Sequence, residues 1–181
     1  MKATELLKQQ HRDVEKLFKV LEDDEGDEKQ TEIFGELAAT LVAHDAIERE
    51  IFYPACEKAL GMTDLLGEAL VEHGVIEFSL YEADEAQGKK DFDFKLKVLE
   101  EMVEHHVEEE EKELFPEVED AIEAEELETL GQRMEQRFSE ARAEDYRAPL
   151  HENLRQVLAG AIKPKKAKTS GGKPRAHRKS A

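Results

Sequence analysis

His44-Asp45-Ala46-Ile47-Glu48-Arg49-Glu50-Ile51-Phe52-Tyr53-Pro54 decides how the rest of the chain is read. A histidine is followed four residues later by a glutamate, and an aromatic-proline pair closes the run ten residues after the histidine. On a helix, positions i and i+4 share a face, with Cβ atoms roughly 5–6 Å apart. An imidazole and a carboxylate so placed can take one cation or two adjacent ones. The run has an echo in His106-Val107-Glu108-Glu109-Glu110, continued by Glu111-Lys112-Glu113-Leu114-Phe115-Pro116 at the same spacing. One such pair is weak evidence. Two with matching flanks in one small chain carry an argument.

The echo extends to other histidines. His44 and His106 lie 62 residues apart, as do His11 and His73, and the steps His11–His44 and His73–His106 are both 33 residues. The chain reads as a helical hairpin used twice, with histidines at matching depths. Repeats of this period often build stacked arrays. Two copies suit a closed bundle better than a solenoid.

Composition agrees with an all-α fold. At 181 residues the chain suits one domain with a real core. Runs rich in Glu, Leu, Lys, Ala and Gln favour helix, and no alternating strand pattern interrupts them. Cys56 is the single cysteine, which excludes an intrachain disulfide; it reads as a small core residue. There is no apolar signal segment at the N-terminus and no run of the ~20 apolar residues a membrane span needs. The expectation is a cytoplasmic protein without a membrane partner. Eight Lys or Arg and no acid fall in Lys163–Ala181, so the body without this tail carries −26 against −18 for the whole. An acidic body repels nucleic acid and suits cations. The tail has the composition of disorder, and weak contact with nucleic acid or another polyanion is its expected role, a solubilising tail the alternative.

Four helices are predicted. The first spans about Ala3–Glu22 with Thr4 as N-cap, and His11 falls in its apolar stripe. The acidic turn Asp23–Glu28 is too short and irregular for a twelve-residue calcium loop. The second helix spans about Lys29–Phe52, and Pro54 should kink or end it. The third spans Thr63–Gln87, with Leu66, Leu70, His73, Glu77 and Leu80 on one face, and Gly88 closes it. The fourth follows an Asp91 N-cap, carries Phe92, Leu96, Leu99, Val103, His106 and Glu110 on one stripe, and is disturbed by Pro116. Leu127, Leu130, Met134 and Phe138 predict a fifth amphipathic helix, and Leu150, Leu154, Val157 and Leu158 a short sixth. The expected division is a bundle over residues 1–122, a helical extension over 123–162 and the basic tail over 163–181.

All four bundle helices carry an inward histidine, and two add an inward glutamate. Glu is almost never fully buried unless paired, so this set requires a compensating charge, which metal ions supply. The candidate ligands are His11, His44, Glu48, His73, His106 and Glu110. Glu77, on the inward stripe, is a candidate additional ligand or a hydrogen-bonding neighbour of the site. His105 and Glu109 form the competing pair to His106 and Glu110; the latter pair matches the spacing of His44 to Pro54. His151 and His177 read as surface residues, and Tyr53 as a packing residue, with a place facing the metals as its alternative. Imidazoles mixed with carboxylates in a bundle core suit a pair of iron ions. Two histidines would be terminal on each iron, with Glu48, Glu110 and a solvent-derived oxo or hydroxo group bridging. The ferritin-like alternative needs Glu-x-x-His, and no histidine here has a Glu three residues before it.

The set His11, His44-x-x-x-Glu48, His73, His106-x-x-x-Glu110 resembles the hemerythrin-like HHE cation-binding family over roughly residues 3 to 120. Leu6-Leu7 before His11 and the aromatic-proline closings match as well. The resemblance implies an up-down four-helix bundle holding a non-haem di-iron centre. It also implies a protein that binds or senses oxygen, responds to nitric oxide or peroxide, or handles iron. The sequence departs from the oxygen carriers, which resemble a pattern with a second histidine where Glu77 stands and an aspartate where Glu111 stands. Reaction with a small oxidant, weak peroxide breakdown included, is therefore expected over reversible oxygen carriage. The alternatives are an iron-responsive binding or storage protein without catalysis, and a purely structural acidic bundle.

Overall fold

The structure, a computed structural model, describes residues 1–23 and 27–160. Gly26 of the acidic turn, the basic tail and His177 lie outside them. Among the described residues the fold is all-helical, an up-down bundle. Its helices are α1 (Ala3–Asp23), α2 (Asp27–Ile47), α3 (Tyr53–Leu60), α4 (Asp64–Ala86), α5 (Phe92–Glu109), α6 (Phe115–Ala121), α7 (Ala124–Arg142) and α8 (Arg147–Leu158). α1 packs on α2 and α4 on α5, the two hairpins that the 33-residue spacing predicts.

The disturbance expected at each proline takes a particular form, an α segment that ends ahead of the proline and a new one that begins at it. A single π turn, Glu48–Phe52, joins α2 to α3, and the Tyr53 N–H bonds to the Glu48 carbonyl five residues back. Glu110–Leu114 does the same between α5 and α6, with the Phe115 N–H on the Glu110 carbonyl. Proline lacks an N–H and clashes with the carbonyl four residues earlier. The widened turn restarts the helix so that each proline sits in a first turn, where a missing N–H costs little. π turns of this kind concentrate at functional sites.

Other ends are set by recognisable chemistry. Gly61 (φ 76°) and Gly88 (φ 71°) take left-handed conformations at the turns after α3 and α4. Thr63 caps α4 by accepting the Leu66 N–H at 3.2 Å. Two expected caps are corrected. Thr4 lies inside α1, buried, and its hydroxyl donates to Glu119 on α6 at 2.6 Å. Asp91 precedes α5 without a side-chain cap, and its carboxylate pairs with Lys95 instead.

The core falls into two apolar clusters. One gathers Leu7, Phe52, Tyr53, Leu66, Phe115 and Leu127; the other gathers Phe18, Phe34, Leu37, Leu80, Phe92 and Leu99. α7 runs along α1 and α2, and α8 along α4. Gly131 makes the first of these contacts close, because a Cβ there would collide with the Met1 carbonyl and come within 3.1 Å of the Ala3 nitrogen. His151, expected at the surface, is half-buried on α8, its ring 5.6 Å from that of Tyr81.

Candidate metal centre

Six side chains form a polar layer between the two apolar clusters. His11 comes from α1, His44 from the last turn of α2, His73 from mid-α4 and His106 from the last turn of α5. Glu48 and Glu110 each open a π turn. All six are at most 7% exposed. The layer is the inward stripe read from the sequence. His106 points in and His105 points out, its side chain 58% exposed.

The donors fall into two groups that share Glu48. His11, His44, Glu48 and Glu110 can each offer an atom within 4.8 Å of the others, and so can Glu48, His73 and His106. Glu48 Oε2 lies 3.2 Å from His44 Nε2 and 3.1 Å from His73 Nε2. Glu110 Oε2 lies 3.5 Å from His11 Nε2 and 3.7 Å from His106 Nε2. Donors about 2.0–2.1 Å from a shared tetrahedral ion stand about 3.3–3.4 Å apart, so these separations suit common ions.

Each histidine is held from behind by a residue of a neighbouring helix. Gln10 Oε1 takes His44 Nδ1 at 2.8 Å, and Asp45 Oδ1 takes His73 Nδ1 at 2.6 Å. Glu72 Oε2 takes His106 Nδ1 at 2.8 Å, and Glu111 Oε1 takes His11 Nδ1 at 2.9 Å. The four bonds run from α1 to α2, α2 to α4, α4 to α5, and the second π turn back to α1. They close a ring around the bundle. Each anchor is the sequence neighbour of a ligand candidate on its own helix. Bonding Nδ1 in this way fixes the tautomer and leaves Nε2 as the inward donor, the arrangement typical of metal-binding histidines.

The layer lacks partners that an ion would provide. His11 Nε2, both oxygens of Glu48 and Glu110 Oε2 are buried without a hydrogen bond. His73 and His106 face each other Nε2 to Nε2 at 3.1 Å. With both Nδ1 atoms donating, two lone pairs confront each other there unless a proton or cation intervenes. Burial opposes charging of His11 and His73, but the surrounding carboxylates outweigh it, raising His11 to about 9 and His73 to about 10. Burial likewise opposes ionisation of Glu48, yet His44 and His73 hold its carboxyl well below the usual range. An imidazole and carboxylate donor set with unsatisfied inward atoms fits borderline transition metals such as iron or zinc.

Glu77 falls outside both groups. Its Oε2 accepts from Arg49 at 3.1 Å, so it works as an ion-pair partner beside the site. Arg49 Nε lies 2.7 Å from Asp45 Oδ1, and Asn153 of α8 donates to Asp45 Oδ2 at 3.0 Å. Burial, then the Asp45 charge, raise the Glu77 carboxyl to about 7. Tyr53, read as packing, faces the layer: its hydroxyl lies 2.8 Å from His73 Nε2 and donates to Glu110 Oε1 at 2.9 Å. A cavity of about 40 Å³ abuts the four histidines, walled on its other side by Val14, Leu41, Ile76, Leu80, Val103 and Val107.

Bundle, paired histidine-glutamate layer and ring of anchors together define a helical protein built to hold cations. Comparison with known proteins gives the class a name. The family model of the hemerythrin HHE cation binding domain matches residues 2–118, and the chain belongs to that family. It is similar to the crystal structure of a hemerythrin HHE cation binding domain-containing protein from Mycobacterium kansasii. The TM-score is 0.70 at 25% identity, covering 89% of this chain and 94% of that one. No curated protein matches it significantly. Metal-cation binding follows for this chain. No helix among the described residues is long and apolar enough to cross a membrane.

Proposed function

We propose that the chain holds two iron ions and reacts with, or senses, a small oxidant: oxygen, peroxide or nitric oxide. His11, His44, Glu48 and Glu110 would hold one ion; Glu48, His73 and His106 would hold the other. The observation that carries this reading is the ring of Nδ1 anchors, which turns four Nε2 atoms onto two carboxylates whose buried oxygens lack partners. Bound iron supplies one-electron redox chemistry. The protein's own residues supply the rest. The aliphatic wall of the cavity favours a small, weakly polar ligand. The Tyr53 hydroxyl offers a proton at His73 and Glu110. Glu77, tied to Arg49, places a carboxyl with a raised affinity for protons on the same cavity.

The test is iron quantitation on protein purified without added metal, followed by anaerobic reduction and mixing with oxygen, peroxide or nitric oxide under an optical probe. Two irons per chain and an oxidant-dependent spectral change are expected. Iron without any response to the three oxidants would turn the reading to iron binding or storage. Absence of transition metal after supplementation would sink it.

A further inference from the structure

The helices that carry the inner layer meet along four seams, and three of these are closed. α4 packs tightly on α5. α7 lies over α1 and α2. α8 lies along α4 and reaches α2 through Asn153, which donates to Asp45. The α1–α5 seam has neither close packing nor a covering helix among the described residues. Polar contacts span it at two heights. Toward one end Glu111 takes His11 Nδ1 at 2.9 Å and lies 3.5 Å from Arg12. Toward the other Lys97 stands 3.7 Å from Glu22. Between these heights Val14, Phe18, Val103 and Val107 line the seam.

Two hollows meet there. A groove of about 520 Å³ runs along the outside of the seam. The cavity of about 40 Å³ beside the histidines lies on the inside. They share four wall residues, His11, Val14, Val103 and Val107. His11 is fixed by its anchor, which leaves the three valines as the part of the partition free to move. Val14 and Val103 are buried and Val107 is half-buried. Local opening costs least where buried contacts are few, and this is the most sparsely packed seam of the four.

The chemistry of the partition limits what can cross it. The groove carries five glutamates against Arg12 and Lys112, so an anion is repelled on approach. The neck itself is hydrocarbon, and an ion entering it would lose its hydration without gaining a partner. A small uncharged molecule meets neither barrier.

We propose that the α1–α5 groove is the route by which the oxidant reaches the inner layer, with Val14, Val103 and Val107 forming a neck that admits small uncharged molecules. This rests on the reaction with a small oxidant proposed above. It gives Val107 a role distinct from that of the candidate metal donors: it sets how fast a ligand arrives, and leaves the ions held unchanged.

Two measurements on the full-length chain test this. In the first, anaerobic, reduced, iron-loaded protein is mixed with nitric oxide in a stopped-flow spectrometer. Val107→Trp should slow the optical change at least about ten-fold with iron content unchanged, while Val71→Trp, on an exposed face of α4, should react as wild type does. The second needs neither iron nor reactivity. Methyl relaxation by dissolved oxygen, a paramagnetic probe, is read by NMR on the chain in zinc-containing buffer. Val14, Val103 and the cavity-lining Leu80 should respond more strongly than Leu37 and Leu99, which are buried in the same apolar cluster away from both hollows. The response at Leu80 should fall in Val107→Trp. A chain that ignores nitric oxide yet shows this methyl pattern would lose the oxidant reading and keep the route. The route is overturned if iron-loaded Val107→Trp reacts at the wild-type rate, or if oxygen reaches Leu80 equally in wild type and variant. Should Val107→Trp fail to fold, a wild-type response at Val14 and Val103 no stronger than at Leu37 overturns it as well.

Discussion

The two halves of the bundle are alike in backbone and unlike in what surrounds it. In both, a histidine ends an α segment, a glutamate opens a π turn, and an aromatic residue stands five positions after that glutamate. In the first half that aromatic is Tyr53, set edge-on to His73 with ring centroids 5.3 Å apart. In the second it is Phe115, stacked on His11 at 6.0 Å with an interplanar angle of 13°. Each covers a histidine of a helix outside its own turn, but only one brings a hydroxyl. The residue after the histidine differs as well. Asp45 is buried in a network with His73, Arg49 and Asn153, whereas Val107 lines the aliphatic wall of the cavity. His44 is anchored by an amide, Gln10, and His106 by a carboxylate, Glu72. The repeat is thus a repeat of candidate donor positions. The supports are asymmetric, and they give the two donor groups different surroundings.

The shared glutamate offers the hardest test of that asymmetry. Glu48 belongs to both donor groups and Glu110 to one. Glu48→Ala should lose nearly all bound iron, and Glu110→Ala about half, while Glu117→Ala on the exposed face should lose none. Metal analysis of the three purified variants reads this directly, and equal losses from Glu48 and Glu110 would make the halves equivalent.

Asp45 comes next in size. Asp45→Asn leaves Arg49 buried with Glu77 as its remaining charged partner and weakens the hold on His73. Breaking a buried pair of this kind costs about 3–5 kcal/mol. The expected result is a loss near the lower end in urea denaturation, because asparagine still accepts hydrogen bonds. Val107→Ala, at the matching position, should cost about 1 kcal/mol.

The aromatic pair gives a smaller effect that depends on metal. Tyr53→Phe makes the two halves alike and takes the hydroxyl from His73 Nε2 and Glu110 Oε1. Stranding buried polar atoms costs about 1–3 kcal/mol. That loss should be seen in the metal-stripped chain and should shrink in the loaded one, where ions take those atoms. Thermal melts of both forms measure the difference, and an equal loss in both would place the ions away from His73.

Smallest of all is the effect expected outside both halves. Deletion of residues 163–181 should leave iron content unchanged. We propose that the deletion lowers affinity for DNA at low salt, with a shallower salt dependence to match the removed cations. Filter binding of the full and shortened chains decides it, and equal affinities would remove the polyanion role.

The buried layer of candidate donors was legible in the sequence because its spacing is regular. His11, His44, His73 and His106 recur at 33 and 62 residues, and helical periodicity then points each inward. The anchors were not legible by the same logic. Gln10, Asp45, Glu72 and Glu111 are polar residues in a chain that is 39% charged, and each bonds to a different helix. Their one local signal is adjacency to a ligand candidate, which becomes informative only once the helices are placed. Glu77 sits on the inward stripe as periodicity predicts, but Arg49 claims its carboxylate, and a pairing 28 residues distant has no local signature. Tyr53 reaches the layer through the π turn ahead of Pro54, which an α period read from the sequence does not contain.

Tyr53 shows what a π turn does to rotational phase. At about 100° per residue, an unbroken α-helix would swing position 53 about 140° away from Glu48 and bring position 52 closer to its face. The extra residue in the turn takes back about 100° of that rotation, so Tyr53 arrives near the Glu48 face and its hydroxyl reaches the histidine layer. Phe115 is indexed to Glu110 in the same way. The five-residue segments between each glutamate and its proline are therefore phase shifters, each absorbing one residue that an α-helix would turn through about 100°. A substitution within 49–52 alters one side chain. A single-residue deletion there would return the segment to α hydrogen bonding and leave Tyr53, then four residues after Glu48, within about 40° of its face, whereas an inserted residue taken up as α-helix would rotate all of α3 by about 100°, carrying Tyr53 out of the layer and Cys56 out of its core. Segments of this kind should tolerate the loss of a residue better than the gain of one.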